Sequence, residues 1–234
     1  MRPLTLLLPL ALLAAACAAD PYAPSAGETS VKEGINDGFL AEDANVEQWV
    51  ARFEDDERRD IAKCRDGIVA ALDLVEGLAI ADVGAGTGLF LEPFTAAVGA
   101  GGRVYAVDIS AAMVEHMAAR IAEAGWSQAE AVLCTEKSAE LPRASVDLVF
   151  ICDTYHHFEY PQHTMASLRK ALRPGGRVAI VDFIREPGND WVMNHVRCGQ
   201  EDVIAELEAA GFRYTGEREV AGLTSNYLIF FERR

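Results

Sequence analysis

From residue 78 onward, short apolar runs alternate with longer stretches in which apolar side chains recur every three or four positions. The first pattern belongs to strands buried on both faces, the second to helices with one buried face. Strands are predicted at 78–83, 103–107, 131–134, 146–152 and 177–184, and helices at 89–98, 110–124, 161–172 and 201–210. Ser110 reads as an N-cap, Pro161 as a first helical residue, and Gly211 as a helix stop. Ahead of these, 45–74 reads as helical, with Trp49, Phe53, Ile61, Ile68 and Leu72 on its apolar face. Strands at 212–220 and 226–232 end the chain; the loop between them is too short for a crossover helix, so they must be antiparallel neighbours. Alternation at this spacing predicts an α/β fold: a seven-stranded, mostly parallel sheet with helices on both faces and an antiparallel C-terminal pair.

Composition narrows this picture. The chain has 234 residues, half of them hydrophobic, enough for one α/β domain and thin for two. Its formal net charge of −15, with no basic run to offset it, repels phosphate and argues against nucleic acid as a partner. Residues 1–17 (MRPLTLLLPLALLAAAC) read as a leader: Arg2, an apolar stretch over 4–13, then Ala14, Ala15 and Ala16 as a cleavage zone. The stretch is too short for a confident membrane span. Its ending resembles a bacterial lipobox, which implies a lipidated Cys17 as the contact with a membrane. Ordinary cleavage after Ala16 or Ala18 is the competing reading, and a misassigned start codon, leaving the protein cytoplasmic, is the third. The expected location is the cell envelope or periplasm, with 18–44 as a flexible tether to a domain at 45–234. Cys64, Cys134, Cys152 and Cys198 show no metal-finger spacing.

The chemistry concentrates at strand ends. Asp82 is followed by Gly84, Gly86 and Gly88, which let a backbone turn tightly and approach a ligand. Leu89 stands where a dinucleotide loop would carry its third glycine, which counts against a nicotinamide oxidoreductase. An acidic Asp82 at the strand end suits a cationic ligand better than a pyrophosphate. Asp108, twenty residues past Gly88, ends the next strand, where a carboxylate can accept ribose hydroxyls and Ile109 can offer an apolar face to a base. The bland alternative for Asp108 is a carboxylate stabilising a helix N-terminus.

DVGAGTG, VYAVDIS, LPRASVDLVFICDTYHHF and LRKALRPGGRVAIVDF together resemble the successive motifs of class I S-adenosylmethionine-dependent methyltransferases, in particular the small-molecule group that includes ubiquinone and menaquinone enzymes. The resemblance covers about residues 45–234 and implies a Rossmann-like fold with S-adenosylmethionine as cofactor and a small-molecule acceptor. It implies that Asp82, Gly84, Gly86 and Gly88 surround the methionine part, that Asp108 holds the ribose, and that Asp153 faces donor and acceptor. Many relatives carry an acidic residue near the adenine amino group; Lys137 and Ser138 stand at that place here, so Ser138 becomes the candidate.

Tyr155, His156 and His157 follow the strand end and are the candidates for holding or deprotonating an acceptor, with core packing the alternative for His157. A metal at His156, His157, Glu159, His163 and His195 is not expected, because adjacent histidines on an extended strand diverge. Trp191, His195 and Arg197 lie in a segment that in the family covers the acceptor. The rival to an enzyme is an exported protein that binds the ligand without turnover.

Overall fold

The computed structural model describes residues 20–41, 45–54 and 59–234, so the leader expected at 1–17 lies outside the described residues. Seven strands form one sheet: β1 Ala79–Val83, β2 Arg103–Asp108, β3 Ala129–Leu133, β4 Val146–Cys152, β5 Leu172–Phe183, β6 Phe212–Glu217 and β7 Asn226–Arg233. Their order is β3-β2-β1-β4-β5-β7-β6. The first five run parallel, and β7 lies antiparallel between β5 and β6. The strand order reverses between β1 and β4, and the carboxyl ends at such a switch point are where open α/β sheets bind ligands.

Side-chain alternation builds two apolar layers. On β4, Leu148 and Phe150 join Ile80, Phe94, Val181 and Leu228 on one face, while Val149 and Ile151 join Val83, Val107, Ile180 and Phe231 on the other. The first layer is covered by α3 (Asp60–Ala71) and α4 (Leu91–Val98), and Phe90, Phe94 and Phe150 meet there with ring centroids 4.8–5.3 Å apart. The second is covered by α6 (Pro161–Ala171) and α8 (Gln200–Ala209). Between β2 and β3 runs α5 (Ala111–Ala124), whose N-cap Ser110 accepts from the Met113 amide and whose end is set by Gly125 in the left-handed region.

Two sequence expectations need correction. The segment 45–74 is not one helix: α2 (Val46–Phe53) stops before the charged run 54–60, and α3 restarts after an extended Arg59. The segment expected as a tether is bound to the body from Asp20 to Asn36. Glu28 accepts from the Gln162 and His163 amides, the Val31 amide donates to Glu159 O, and Tyr22 lies against Gly211. A one-turn helix, α1 (Asp37–Leu40), then carries Phe39 over the sheet's carboxyl edge. The segment after β5 holds a short helix, α7 (Asp190–His195), capped by the Asn189 side chain. The four cysteines among the described residues are free thiols, and none of the described helices is long and apolar enough to cross a membrane.

Candidate active site

The loop after β1 turns through Gly84, Gly86 and Gly88, with φ of 75°, 57° and 87°. At Gly84 the requirement is also one of space, because a Cβ there would lie 2.1 Å from Thr154 Cγ2. The loop is anchored to the end of β2: the Gly84 and Ala85 amides donate to Val107 O, and the Gly86 amide donates to Asp108 Oδ2 at 2.8 Å. The other Asp108 oxygen accepts from the Ser110 amide at 2.9 Å. Burial pushes the Asp108 carboxyl up, against the pull of the Ser110, Gly86 and Ile109 amides.

Asp82 is in a different position. It is 3% exposed, and among the described residues no donor is hydrogen-bonded to its carboxylate. Burial, and then the charge of Asp108, push its carboxyl up to about 8. A buried charge without a partner is costly, which favours the neutral form of the group.

Both carboxylates face a cavity of about 1330 Å³, larger than a single drug-sized ligand needs. Asp82, Gly84, Gly86, Asp108, Ile109, Ser138, Asp153, His156 and His157 all line it. Gly88 does not: a Cβ there would strike Leu91 and press on Met117, so it serves the packing of the loop on its helices. Tyr155 does not line it either. Its side chain is fully buried below the cavity, its hydroxyl donates to Glu206 Oε2 at 2.7 Å, and its ring lies against Phe158 and under Arg197. The expectation of a catalytic tyrosine is therefore corrected to a core residue. Arg197 is likewise spent, making two bonds of 2.7 and 2.8 Å to Glu206.

Asp153 faces the cavity, but Arg59 Nη2 donates to one of its oxygens at 2.6 Å and Asn226 Nδ2 to the other at 2.7 Å. Burial pushes its carboxyl up and the Arg59 charge opposes this. Arg59 also donates to Phe53 O and lies over the Phe53 ring, which ties α2 to the end of β4. Phe39, Trp49 and Phe53 form an aromatic roof, with Phe39 and Trp49 centroids 4.7 Å apart. The helical periodicity places Trp49 and Phe53 on an apolar face, and that face covers the cavity; nothing in the sequence marks Arg59. Glu136 was missed as well: it lines the cavity two residues before Ser138, while Lys137 turns away over Tyr160.

The histidines depart most from expectation. Tyr155–His157 is a single turn of 3-10 helix rather than extended strand, so His156 and His157 can both face the cavity. His195 reaches the same place from α7, and one ring nitrogen from each of the three lies within 4.8 Å of the others. The ground for excluding convergence is thus removed. His156 Nδ1 is 2.7 Å from Asp182 Oδ1; burial works against a charge on the ring, but Asp182 prevails and its pKa is raised. His157 Nδ1 is 3.2 Å from Asn36 Oδ1, and its Nε2 is 3.3 Å from His195 Nε2. Burial, and then neighbouring positive charge, pull His157 down to about 3 and His195 down to about 4. A base with a pKa near 3 is poorly matched to proton abstraction at neutral pH, which weakens the expectation of His157 as general base. His163 turns outward to Glu28, and Glu159 accepts from Ser30 Oγ.

Residues 81–178 match the family model described as "Methyltransferase domain". The chain is 32% identical over 132 residues to nocamycin O-methyltransferase of Saccharothrix syringae, covering 55% of this chain and 47% of that protein. It is 26% identical over 146 residues to the ubiquinone/menaquinone biosynthesis C-methyltransferase of Bordetella avium, covering 60% of this chain and 56% of that protein. It therefore spans about half the length of the curated relatives it matches. Among solved structures, an S-adenosylmethionine-dependent methyltransferase from Aquifex aeolicus superimposes with a TM-score of 0.70 at 24% identity, covering 81% of this chain and 99% of that one. With its switch-point cavity, its carboxylate-flanked glycine loop and its antiparallel last strand pair, the chain has the fold of the class I S-adenosylmethionine-dependent methyltransferases.

Proposed function

We propose that this protein transfers the methyl group of S-adenosylmethionine to a small-molecule acceptor held in the same cavity. The observation that carries the proposal is Asp82, a buried carboxylate with no donor among the described residues, its carboxyl pushed up to about 8, on the cavity floor beside the glycine loop. Such a group calls for a cationic ligand, whereas a nicotinamide dinucleotide would set its pyrophosphate against that carboxylate. When bound, S-adenosylmethionine supplies a methyl group on a sulfonium, already activated for displacement. Asp82 then compensates its positive charge, and the lone pairs that Asp108 has left over from the Gly86 and Ser110 amides accept the ribose hydroxyls. Ile109, Glu136 and Ser138 line the same cavity, and Ile109 would offer an apolar face to the adenine.

The remaining space, under Phe39, Trp49 and Phe53 and beside the histidines, suits a small, partly flat acceptor. The names of the relatives, an O-methyltransferase and a C-methyltransferase, agree with a small acceptor and leave the accepting atom open. The protein's part in the reaction is alignment of acceptor and methyl group with water kept out. Incubating the full chain with methyl-labelled donor and a cell extract tests the proposal. A labelled small molecule in the extract supports it; donor binding with no labelled product supports the non-catalytic rival instead.

The leader pattern at 1–17 leads us to propose, separately, that the protein is exported and anchored through Cys17. Mass spectrometry of the membrane fraction should find a lipidated Cys17 as the mature N-terminus. A cytosolic chain beginning at Met1 contradicts it.

A further inference from the structure

We propose that His156, His157 and His195 form a binding site for a divalent transition metal of the zinc class, with the fourth coordination position open to the cavity. The inference stands on the geometry of the three side chains and goes beyond the methyl-transfer reading.

Two tetrahedral ligands, each about 2.05 Å from zinc, sit about 3.3 Å from one another. The His157 and His195 Nε2 atoms are 3.3 Å apart, and one ring nitrogen from each of the three histidines lies within 4.8 Å of the others. An all-imidazole donor set selects zinc and its transition-metal neighbours over magnesium or calcium, which require oxygen. Three protein ligands with a vacant fourth direction is the pattern of a site that takes a further ligand, rather than of a closed structural one.

The surroundings of the rings support the same reading. His156 Nδ1 meets the Asp182 carboxylate at 2.7 Å, and Asp182 also accepts from the His156 amide, so ring and backbone are held together. His157 Nδ1 meets Asn36 Oδ1 at 3.2 Å. Each contact places a proton on Nδ1 and leaves Nε2 as the atom that would ligate, the orientation in which metal-binding imidazoles are usually held. Asp182, 1% exposed, brings negative charge one bond away from the site. Trp191 stacks on His195 with centroids 4.6 Å apart, Phe39 meets His157 edge-on at 5.4 Å, and Phe183 does the same to His156 at 5.7 Å. These aromatic walls limit the rings' freedom. Lys32, the nearby ammonium, is occupied by the carbonyls of Asn194 and His195. A single N–H···N bond between His195 and His157 would account for one pair of nitrogens, but not for the approach of all three rings.

The test uses the full chain, stripped with a chelator and then titrated with Zn²⁺ by calorimetry and with Co²⁺ by visible absorption. One equivalent should bind, with the strong visible bands of a tetrahedral cobalt site, and Zn²⁺ should raise the melting temperature. His195→Ala should abolish all three responses, and Asp182→Asn should weaken affinity about 10–100-fold. His163→Ala, outside the cluster, should bind like the parent. Melting curves of the metal-free variants show which are folded, and His195→Gln replaces His195→Ala if the latter is not. Absence of saturable binding overturns the proposal, as does one-equivalent binding that survives both His195 variants in folded protein, or a cobalt spectrum dominated by thiolate charge transfer. Binding of S-adenosylhomocysteine, measured on the same samples, reports on the methyl-donor reading separately, because the metal site requires no donor.

Discussion

Changing Asp82 to asparagine alters one buried group with almost no change in shape. In the empty protein the Asp82 carboxyl is pushed up to about 8 by burial and by Asp108, so at pH 7 roughly nine molecules in ten hold it neutral. A ligand whose cation needs the carboxylate must first release that proton, at a cost of about 1.4 kcal/mol at pH 7 and about 2.7 kcal/mol at pH 6. Affinity for S-adenosylhomocysteine, whose ammonium stays charged over this range, should therefore rise nearly tenfold from pH 6 to pH 7 and level off above pH 8. Calorimetry in buffers of different ionisation heat should show proton release approaching one per ligand at pH 6. The Asp82→Asn variant should lose both the pH dependence and the proton release, and at pH 8 should bind about 1.5–3 kcal/mol more weakly. The sign for stability is opposite to that of a salt-bridged carboxylate. A raised carboxyl favours the folded state fully below its unfolded value of 3.8, and that contribution is lost as pH climbs through about 8. The empty Asp82→Asn protein should thus outlast the parent at pH 9 and match it near pH 4. A pH-independent affinity in the parent, or an Asp82→Asn variant that binds like it, would exclude Asp82 as the partner of the ligand's cation.

Two further substitutions separate binding from packing. Asp108→Ala removes the acceptor of the Gly86 amide and the proposed acceptor of the ribose, so donor affinity measured by calorimetry should fall by at least about 1.5–3 kcal/mol; unchanged affinity contradicts ribose binding there. Tyr155→Phe deletes a part-buried bond to Glu206 and should cost about 1.5–3 kcal/mol in denaturant unfolding. Its turnover per folded molecule should stay at the parent level, and a large loss there would return Tyr155 to the chemistry.

The parts of the molecule that were legible in advance share a physical cause. Strand–helix periodicity, the Ser110 cap and the short loop between the last strands each act within a few residues, and β1, β2, β4 and β7 formed close to their predicted bounds. Asp82 and Asp108 were legible as cavity residues because each lies at the carboxyl end of a strand beside the switch point. What could not be read depends on contacts across the chain. Arg59 meets Asp153 from 94 residues away, Asn36 meets His157 from 121, and His195 meets His157 from 38. Tyr155 and His156 are adjacent in sequence, yet a 3-10 turn sends the first into the core and the second toward the cavity. A period-two pattern gives no warning of such a turn. The segment 20–41 misled for another reason: a composition rich in small and polar residues signals freedom, but Glu28, Ser30, Lys32 and Asn36 each find a specific partner on the body.

The central claim is that the cavity between the ends of β1, β2 and β4 holds S-adenosylmethionine against Asp82 and Asp108. Titration calorimetry of the full chain with S-adenosylmethionine, S-adenosylhomocysteine and NAD tests it most directly. The account expects one equivalent of each adenosyl ligand to bind, and NAD to give no saturable heat. Tight NAD binding, or a folded protein that binds neither adenosyl ligand, would contradict it.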